Sequence, residues 1–294
     1  MFDRIKGIFG AEEDEPEELP VELPEVKPFS DMTMETGSEK LRKPDHKKLN
    51  INHAGHMRIV ARNDEDGIRV GAEALRTARD KKTIYYGEDT ISGYLSDMNY
   101  LKFLTITGNN DNISSYPVFN IGKPLPARIT DVTECENGYE GQLEVYVNGA
   151  PVEIFDTMYF KNKNTYVPDK DVTVLISGVA YVLSRISQPK PLDKKDKKIK
   201  DKKSPKAEFM GDADLAFRYE NGDVDDYVFR GFVQEVREFE VMGKKAQAIK
   251  TTLRLRGDSA IEIYVCATEN AIREKLQKGD HISGIVWLQG FIVS

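Results

Sequence analysis

The chain has 294 residues, of which 39% are apolar and 31% charged, and its formal net charge is −7 at neutral pH. This length suits two or three domains, and the negative charge counts against general polyanion binding, because phosphate contacts need a cationic surface. No apolar run approaches the roughly 20 residues of a transmembrane helix, so we expect no transmembrane segment. Cys135 and Cys266 form no CxxC pair, which indicates a reducing, cytoplasmic compartment and two small buried hydrophobes.

The first ten residues carry an apolar series at helical spacing. The segment that follows is rich in Glu and Pro and cannot bury a core. We therefore predict that residues 1–50 form a disordered tail with an amphipathic docking peptide at 1–10, for a partner protein or for a membrane surface. The plain alternative is a frayed terminus, and the acidic cluster argues against anionic lipid. The predicted docking residues are Phe2, Ile5, Ile8 and Phe9.

Residues 51–117 are predicted to form a small α/β region. The expected elements are a strand at 57–62, a helix at 65–80 and a short strand at 83–87. Asp64 is expected to cap the helix, because its side-chain oxygen can accept a hydrogen bond from the first turn. A second apolar series at helical spacing predicts another helix from residue 91. The expected apolar faces of the two helices are Ile68, Ala72, Leu75 and Ala78, and Ile91, Leu95, Met98 and Leu101.

From residue 118 the pattern becomes β. Short segments alternate apolar and polar residues between turn signals, and they end in a nearly all-apolar stretch at 172–186. Residues 188–206 hold nine lysines against three aspartates and are predicted to form a charged, extended linker. The β pattern then returns. The predicted division is a tail (1–50), an α/β region (51–117), a first β domain (118–187), the linker (188–206) and a second β domain (207–294).

The two β domains repeat one pattern. Three segments match in the same order and at similar spacing, which makes a duplicated unit the favoured interpretation. The matches are 127–134 with 231–238, 152–155 with 261–264, and 176–179 with 282–285. Each unit reads as three strands, a connector that is helical at 269–276 in the second copy, and a long apolar end.

This element order resembles the oligonucleotide/oligosaccharide-binding (OB) fold, a five-stranded Greek-key barrel. The resemblance covers about 118–187 and 225–294 and implies a mainly β protein (α+β overall) with two tandem barrel-like domains. Each apolar end would then supply both closing strands by bending, at Gly178 in one copy and near Gly290 in the other. An antiparallel sandwich is the competing architecture.

The second β domain carries a candidate nucleic-acid surface. Small barrels bind single strands by stacking bases on aromatic side chains above a cationic groove. Arg254 and Arg256 share one strand face, opposite Leu253 and Leu255, and form a basic stripe. The first domain is acidic, so we assign single-stranded DNA or RNA binding to the second domain and the linker. The alternative interpretation is solvated arginines over an aromatic core. The candidate residues are Arg230, Arg237, Lys250, Arg254 and Arg256.

The sequence contains none of the common catalytic or nucleotide-binding motifs. His46, His53 and His56 lack a recognised ligand spacing, so we predict no metal and no cofactor and interpret them as solvated. The acidic stretch at 212–226 is likewise interpreted as a solvated turn. We therefore predict a non-enzymatic binding or adaptor protein. The alternatives are a scaffold that engages proteins through residues 1–10 and the acidic first domain, and an enzyme with a pocket of perturbed acids.

Overall fold

The computed structural model describes residues 54–79, 83–86, 92–96, 100–108, 111–186, 216–219, 223, 225–255, 259–272 and 274–294. The predicted tail and linker lie outside these ranges. No helix within them is long and apolar enough to cross a membrane. The fold is mainly β, as predicted, with a four-stranded and a ten-stranded sheet.

Two helices and the four-stranded antiparallel sheet form an N-terminal layer. Its elements are α1 Ala54–Met57, α2 Asp64–Arg79, β1 Thr83–Tyr86, β2 Ser92–Ser96, β3 Leu101–Gly108 and β4 Asp111–Phe119. The strands pair in chain order. The predicted helix at 65–80 and strand at 83–87 are confirmed. The strand expected at 57–62 is wrong, because α1 and a turn occupy it. The helix expected from residue 91 is also wrong, because residues 92–96 pair with β3 along their whole length.

Helix α2 buries a different face from the one its apolar residues predict. Ile68 is 76% exposed, whereas the buried side consists of small residues. The small side chains let α2 approach α1 closely, and this close packing outweighs the burial of Ile68. The capping residue also differs by one position: Asn63 Oδ1 accepts a hydrogen bond from the Asp66 amide at 2.8 Å. The buried positions are Gly67, Val70, Gly71 and Ala74.

The ten remaining strands build one continuous sheet. They are β5 Leu125–Glu134, β6 Gly141–Val147, β7 Ala150–Asp156, β8 Asp171–Ile186, β9 Ala216–Arg218, β10 Asp226–Phe232, β11 Glu235–Val241, β12 Lys244–Arg254, β13 Ala260–Thr268 and β14 His281–Ile292. The short helix α3, Tyr159–Asn162, lies between β7 and β8. The helix predicted at 269–276 is wrong, since the described residues there form turns.

The strand pairings close into two barrel-like circuits. In the first, β5, β6, β7, β14 and β8 pair in that order and β8 returns to β5. In the second, β11, β12, β13, β8 and β14 pair in order and β14 returns to β10, which continues into β11. Each circuit has five strands when β10–β11 counts as one, as the resemblance to the OB fold implies.

The circuits exchange their last strands. The first takes β14 from the second repeat, and the second takes β8 from the first. The expectation that each apolar end bends to supply both closing strands of its own barrel is therefore wrong. Instead, β8 runs through 16 residues and pairs with β14 over 12 residue pairs, so that each strand serves both barrels.

The strand pairings of the two repeats correspond, but they displace two of the three predicted matches. Val132 pairs with Leu143, and Val236 pairs with Ile249, which agrees with the match between 127–134 and 231–238. The other two matches are displaced. In the first barrel Phe155 of β7 pairs with Gln289 of β14. In the second barrel Cys266 of β13 occupies the corresponding place, where it pairs with Val179 of β8. Cys266, not Tyr264, is therefore the equivalent of Phe155.

The middle of strand β8, residues 174–180, is buried on both faces, which explains its nearly continuous apolar sequence. Val174 and Ile176 point into the barrel interiors, whereas Leu175 and Val179 point towards the N-terminal layer. Both cysteines are buried and unpaired, as predicted. The N-terminal layer thus completes a second core on the outside of the β8–β14 pair.

Polar contacts fix the N-terminal layer to both repeats. The Phe119 amide donates to Gln289 Oε1 at 2.9 Å, and the Tyr116 hydroxyl donates to the Thr157 carbonyl at 3.2 Å. The His56 ring stacks on Trp287 with 3.8 Å between ring centroids. These groups are buried, so each bond avoids the cost of a desolvated, unpaired polar group.

Glycine at position 290 is required by the close approach of β8 and β14. A Cβ atom there would collide with the carbonyl oxygen of Leu175, which is backbone and cannot move away. At Gly178, in the same ladder, the nearest atom would be a Val265 methyl at 3.4 Å.

We expect Gly290→Ala to lower the free energy of unfolding by about 1–3 kcal/mol or more, and Gly178→Ala to lower it much less. Urea denaturation of both variants checks this, and equal costs would contradict the packing described.

Candidate nucleic-acid interface

The outer surface of the second barrel has two open parts. The first, here called the charged face, lies on β11, β12 and β13. Directly paired residues of neighbouring antiparallel strands share a face, so Glu235, Lys250 and Tyr264 form one row and Thr252 and Glu262 the next. Tyr264 is buried at one end of this row, so the charged face consists of Glu235, Arg237, Lys250, Thr252, Arg254 and Glu262.

Ion pairs within the charged face neutralise two of the predicted cations. Lys250 Nζ lies 2.9 Å from a carboxylate oxygen of Glu262, and Arg237 Nε lies 2.8 Å from Glu235. Arg254 is exposed, and no carboxylate of the described residues lies within ion-pairing distance of it. As predicted, Leu253 and Leu255 are buried opposite Arg254. Arg256 lies outside the described residues.

The second open part, here called the aromatic face, lies on β8, β14 and β10. Its three rows are Val182, Ile285 and Val228; Ser184, Ser283 and Arg230; and Ile186, His281 and Phe232. The alternating residues Leu183 and Phe229 point into the barrel. Phe232 is 41% exposed and its ring meets His281 edge-on, with 5.4 Å between centroids. An exposed aromatic ring on a sheet surface is a stacking platform for a planar ligand.

The two faces are continuous around the bend between β10 and β11. The Gln234 amide donates to the Lys250 carbonyl at 2.9 Å, and the Gln234 side chain donates to the Thr252 hydroxyl at 2.7 Å. Phe232 precedes this bend and Arg254 extends beyond it on β12. The β10–β11 bend therefore links the face that carries Arg230 and Phe232 to the face that carries Lys250 and Arg254.

The sequence did not single out His281 or the row it shares with Phe232. Only the register of β10 on β14 places these rings together, and that register joins residues about 50 positions apart. The one usable signal in the sequence was alternation. Phe229 is buried, and Phe232 lies three positions further along the strand, so it points to the opposite, outer face. The predicted docking residues Phe2, Ile5, Ile8 and Phe9 lie outside the described residues.

The equivalent outer surface of the first barrel is acidic. Glu144 and Glu153 pair directly across β6 and β7, and Tyr146 is 47% exposed on the same face. Arg218 of β9 forms an ion pair with Glu153. Burial raises the pKa of Glu153, and the Arg218 charge partly offsets that effect. This surface offers an exposed aromatic ring among carboxylates and thus differs in charge from the second barrel.

Several acids expected in solvent are buried. Asp225 is 1% exposed, and burial, then the neighbouring Asp226 charge, raises its pKa to about 7. His56 is also buried, so the solvated interpretation is wrong for both. Two open clefts of about 680 and 740 Å³ lie elsewhere, and neither is lined by an acid of raised pKa. Among the described residues, no group of three His, Cys, Asp or Glu side chains is arranged to hold a metal ion.

No protein-family model matches the chain, and no curated protein is significantly similar to it in sequence. A solved structure to which it is similar is that of the cytoplasmic molybdate-binding protein ModG, in a PEG-grown form with molybdate bound. The sequence identity is 14%, the similarity covers 57% of this chain and 94% of that chain, and the TM-score is 0.28. This overall similarity is too low to carry an argument about function.

Because Phe229 points into the barrel and Phe232 points outwards, we expect their replacement by alanine to lower the free energy of unfolding by very different amounts. Phe229→Ala should lower the free energy of unfolding by about 3–5 kcal/mol, because it leaves a cavity inside the barrel. Phe232→Ala should cost less than about 1 kcal/mol, because the ring is largely in solvent. Guanidinium denaturation measures both. A large loss for Phe232→Ala would mean that its ring supports the fold instead of standing free.

Proposed function

We propose that the protein binds single-stranded nucleic acid on the aromatic and charged faces of its second barrel, with the lysine-rich segment as a second contact. It acts without catalysis, in the cytoplasmic compartment that the unpaired cysteines indicate. The observation that carries the proposal is Phe232, an exposed ring on the outside of a small barrel with cationic side chains on both sides. Bases stack on such rings whatever their sequence, and each stacked base contributes about 1–3 kcal/mol.

The ends of the two strands that flank the lysine-rich segment support the same surface. The chain leaves β8 at Ile186, in the row of Phe232 and His281, and re-enters at Ala216 beside Phe229. These two points are three strand spacings apart, or roughly 18 Å with the offset along the strands. About six extended residues would span that distance. The chain spends 29 residues, 187–215, on it, so most of this length is available for contacts other than closure.

The charge balance of the charged face sets limits on the mode of binding. Lys250 and Arg237 already have carboxylate partners, so a phosphate competes with Glu262 and Glu235 for them. Arg254 meets no such competition from the described residues. The net positive charge that phosphate binding needs must therefore come largely from the nine lysines of 188–206. Binding is expected to be weak on the barrel alone and strongly salt-dependent in the full chain.

The first test measures binding of the full chain to a mixed-sequence single-stranded DNA of about 20 nucleotides by fluorescence anisotropy. We expect Phe232→Ala to weaken binding by about 5–100-fold, the loss of one stacked base. The matched control is Tyr146→Ala, which removes an equally exposed ring from the acidic first barrel. Arg254→Gln should lower the slope of log affinity against log salt by about one.

Two results would remove this proposal. One is the absence of salt-dependent binding in the wild-type chain. The other is an equal loss for Phe232→Ala and Tyr146→Ala, since that would place the contact outside the second barrel. Glu262→Gln adds a gain-of-function check: it releases Lys250 and should tighten binding if phosphate contacts this face.

A second candidate function is a protein scaffold, and the acidic outer face of the first barrel favours it. Tyrosine rings are enriched at protein interfaces, and Tyr146 is exposed on this face. The neighbouring carboxylate of Glu144 suits a cationic partner. Docking through residues 1–10 stays a prediction. Deleting those residues should abolish co-purification of one specific protein from a lysate, whereas Tyr146→Ala should remove only a partner of the barrel. An unchanged set of captured proteins in both variants would contradict the scaffold.

A further inference from the structure

Two adjacent carboxyl groups are buried where the second repeat begins. Asp225 and Asp226 are 1% and 7% exposed. Asp225 Oδ2 accepts a hydrogen bond from the indole N–H of Trp287 at 3.0 Å, and Asp226 Oδ2 accepts one from the Asp223 amide at 3.0 Å. The Oδ1 atom of each carboxyl group is buried without a hydrogen-bond partner. No lysine or arginine of the described residues forms an ion pair with either group.

This arrangement is unfavourable when both groups are ionised. A buried carboxylate is stable when a cation or several donors compensate its lost hydration, and neither Oδ1 atom has such a partner. Two negative charges on neighbouring residues also repel each other, and the low dielectric of the site strengthens that repulsion. Binding one proton to the pair removes the repulsion and part of the desolvation cost. The pair therefore favours a protonated state while the site stays closed.

The same residues hold together four parts of the fold. The Asp225 carbonyl accepts the Leu288 amide of β14 at 2.9 Å, and the Asp226 carbonyl accepts the Tyr219 amide at 2.7 Å. Asp226 also pairs directly with Trp287 at the start of β10. On the other side of the indole, the His56 ring stacks on Trp287 and lies 5.9 Å from the Tyr181 ring of β8. The carboxyl pair thus lies where α1, β8, β10 and β14 meet.

We propose that Asp225 and Asp226 form a proton-dependent latch, which holds the start of β10 and Tyr219 against β8, β14 and α1. With the pair protonated the latch is closed. When both carboxyl groups ionise, this junction loosens and Trp287 loses its hydrogen-bond acceptor to solvent. The latch does not depend on what the protein binds.

The pKa values of the pair give the direction and the window of the effect. Burial raises the pKa of Asp225 to about 7 and that of Asp226 to about 6, from ordinary values near 3.8. A folded-state pKa above the unfolded value means that the folded state binds more protons. The stabilisation is therefore complete at low pH and is lost as pH rises through about 7. The two groups titrate as a coupled pair.

Other ionisable groups lie near the carboxyl pair on the elements that pack against it. Asp223 is exposed and adds a like charge. The Tyr181 hydroxyl forms a hydrogen bond with the Asp226 carboxyl group, which opposes part of the rise in the pKa of Asp226. The Tyr181 hydroxyl and the Cys135 thiol have pKa values raised by burial first and by nearby carboxylates next, so both stay neutral through the window. Glu140, buried beside Cys135, and His56, stacked on Trp287, are the remaining groups.

Trp287 is the chain's single tryptophan, so its emission reports on this site alone. We expect the emission of the full chain to shift to longer wavelength between about pH 5 and 8, with a midpoint near 7. Asp225→Asn keeps an acceptor for the indole and should abolish the transition. Asp226→Asn should lower the midpoint by removing the neighbouring charge. The matched control Asp131→Asn, which removes an exposed carboxylate from β5, should leave the transition unchanged.

A flat emission curve for the wild-type chain would overturn the latch, and so would a wild-type transition in Asp225→Asn. His56→Gln separates the alternatives, because a transition lost in that variant but kept in Asp225→Asn would belong to the histidine. Hydrogen exchange of the wild-type chain serves if an Asn variant fails to fold. Corrected for intrinsic rates, protection of the Tyr219 amide and of residues 226–228 should fall between pH 5.5 and 8 while protection in β12 stays constant. Equal changes in both would also reject the proposal.

Discussion

The antiparallel pair of β8 and β14 is the interaction on which the rest of the structure depends. Its 12 residue pairs join the two repeats, and each strand contributes to the wall of both barrels. Neither repeat alone holds the strands needed to close its circuit, so the two must fold as one cooperative unit. The outward side of the same pair carries Leu175, Trp287 and Phe291, which form the floor for the N-terminal layer. Both hydrophobic cores therefore share one ladder, and an error in its register would displace both.

Shared closure explains how duplicated units diverged in their surfaces while keeping one backbone plan. Interior positions are constrained twice, by their own barrel and by the exchanged strand, and most of them are aliphatic in both repeats. The side chains at outward positions are constrained only by the elements that pack over them. In the first barrel β9 and Arg218 cover part of an acidic face, whereas the second barrel leaves Phe232 and Arg254 open. The two barrels thus present outer faces of different charge on one scaffold.

Local patterns predict what depends on near neighbours along the chain. Alternation correctly placed the three strands of each repeat, the buried cysteines and the exposure of Arg254 opposite Leu253. They did not predict β2, whose strand pairing overrides a helical spacing, or the strand exchange, which depends on contacts between residues about 110 positions apart. The site shows the same limit. The cations were visible in the sequence, but their partners Glu235 and Glu262, and the ring pair of Phe232 and His281, depend on register across strands.

Strand β10 connects the buried carboxyl pair to the proposed binding surface. Asp226, Val228, Arg230 and Phe232 alternate along its outward side, the first beneath the aromatic rings of the junction and the last in solvent. Asp226 and Trp287 form the first of the seven residue pairs that join β10 to β14. Loosening Asp226 from Trp287 therefore weakens the ladder that positions Arg230 and Phe232 beside β14. The cost of burying two carboxyl groups is accordingly placed at the start of the strand that carries Arg230 and Phe232.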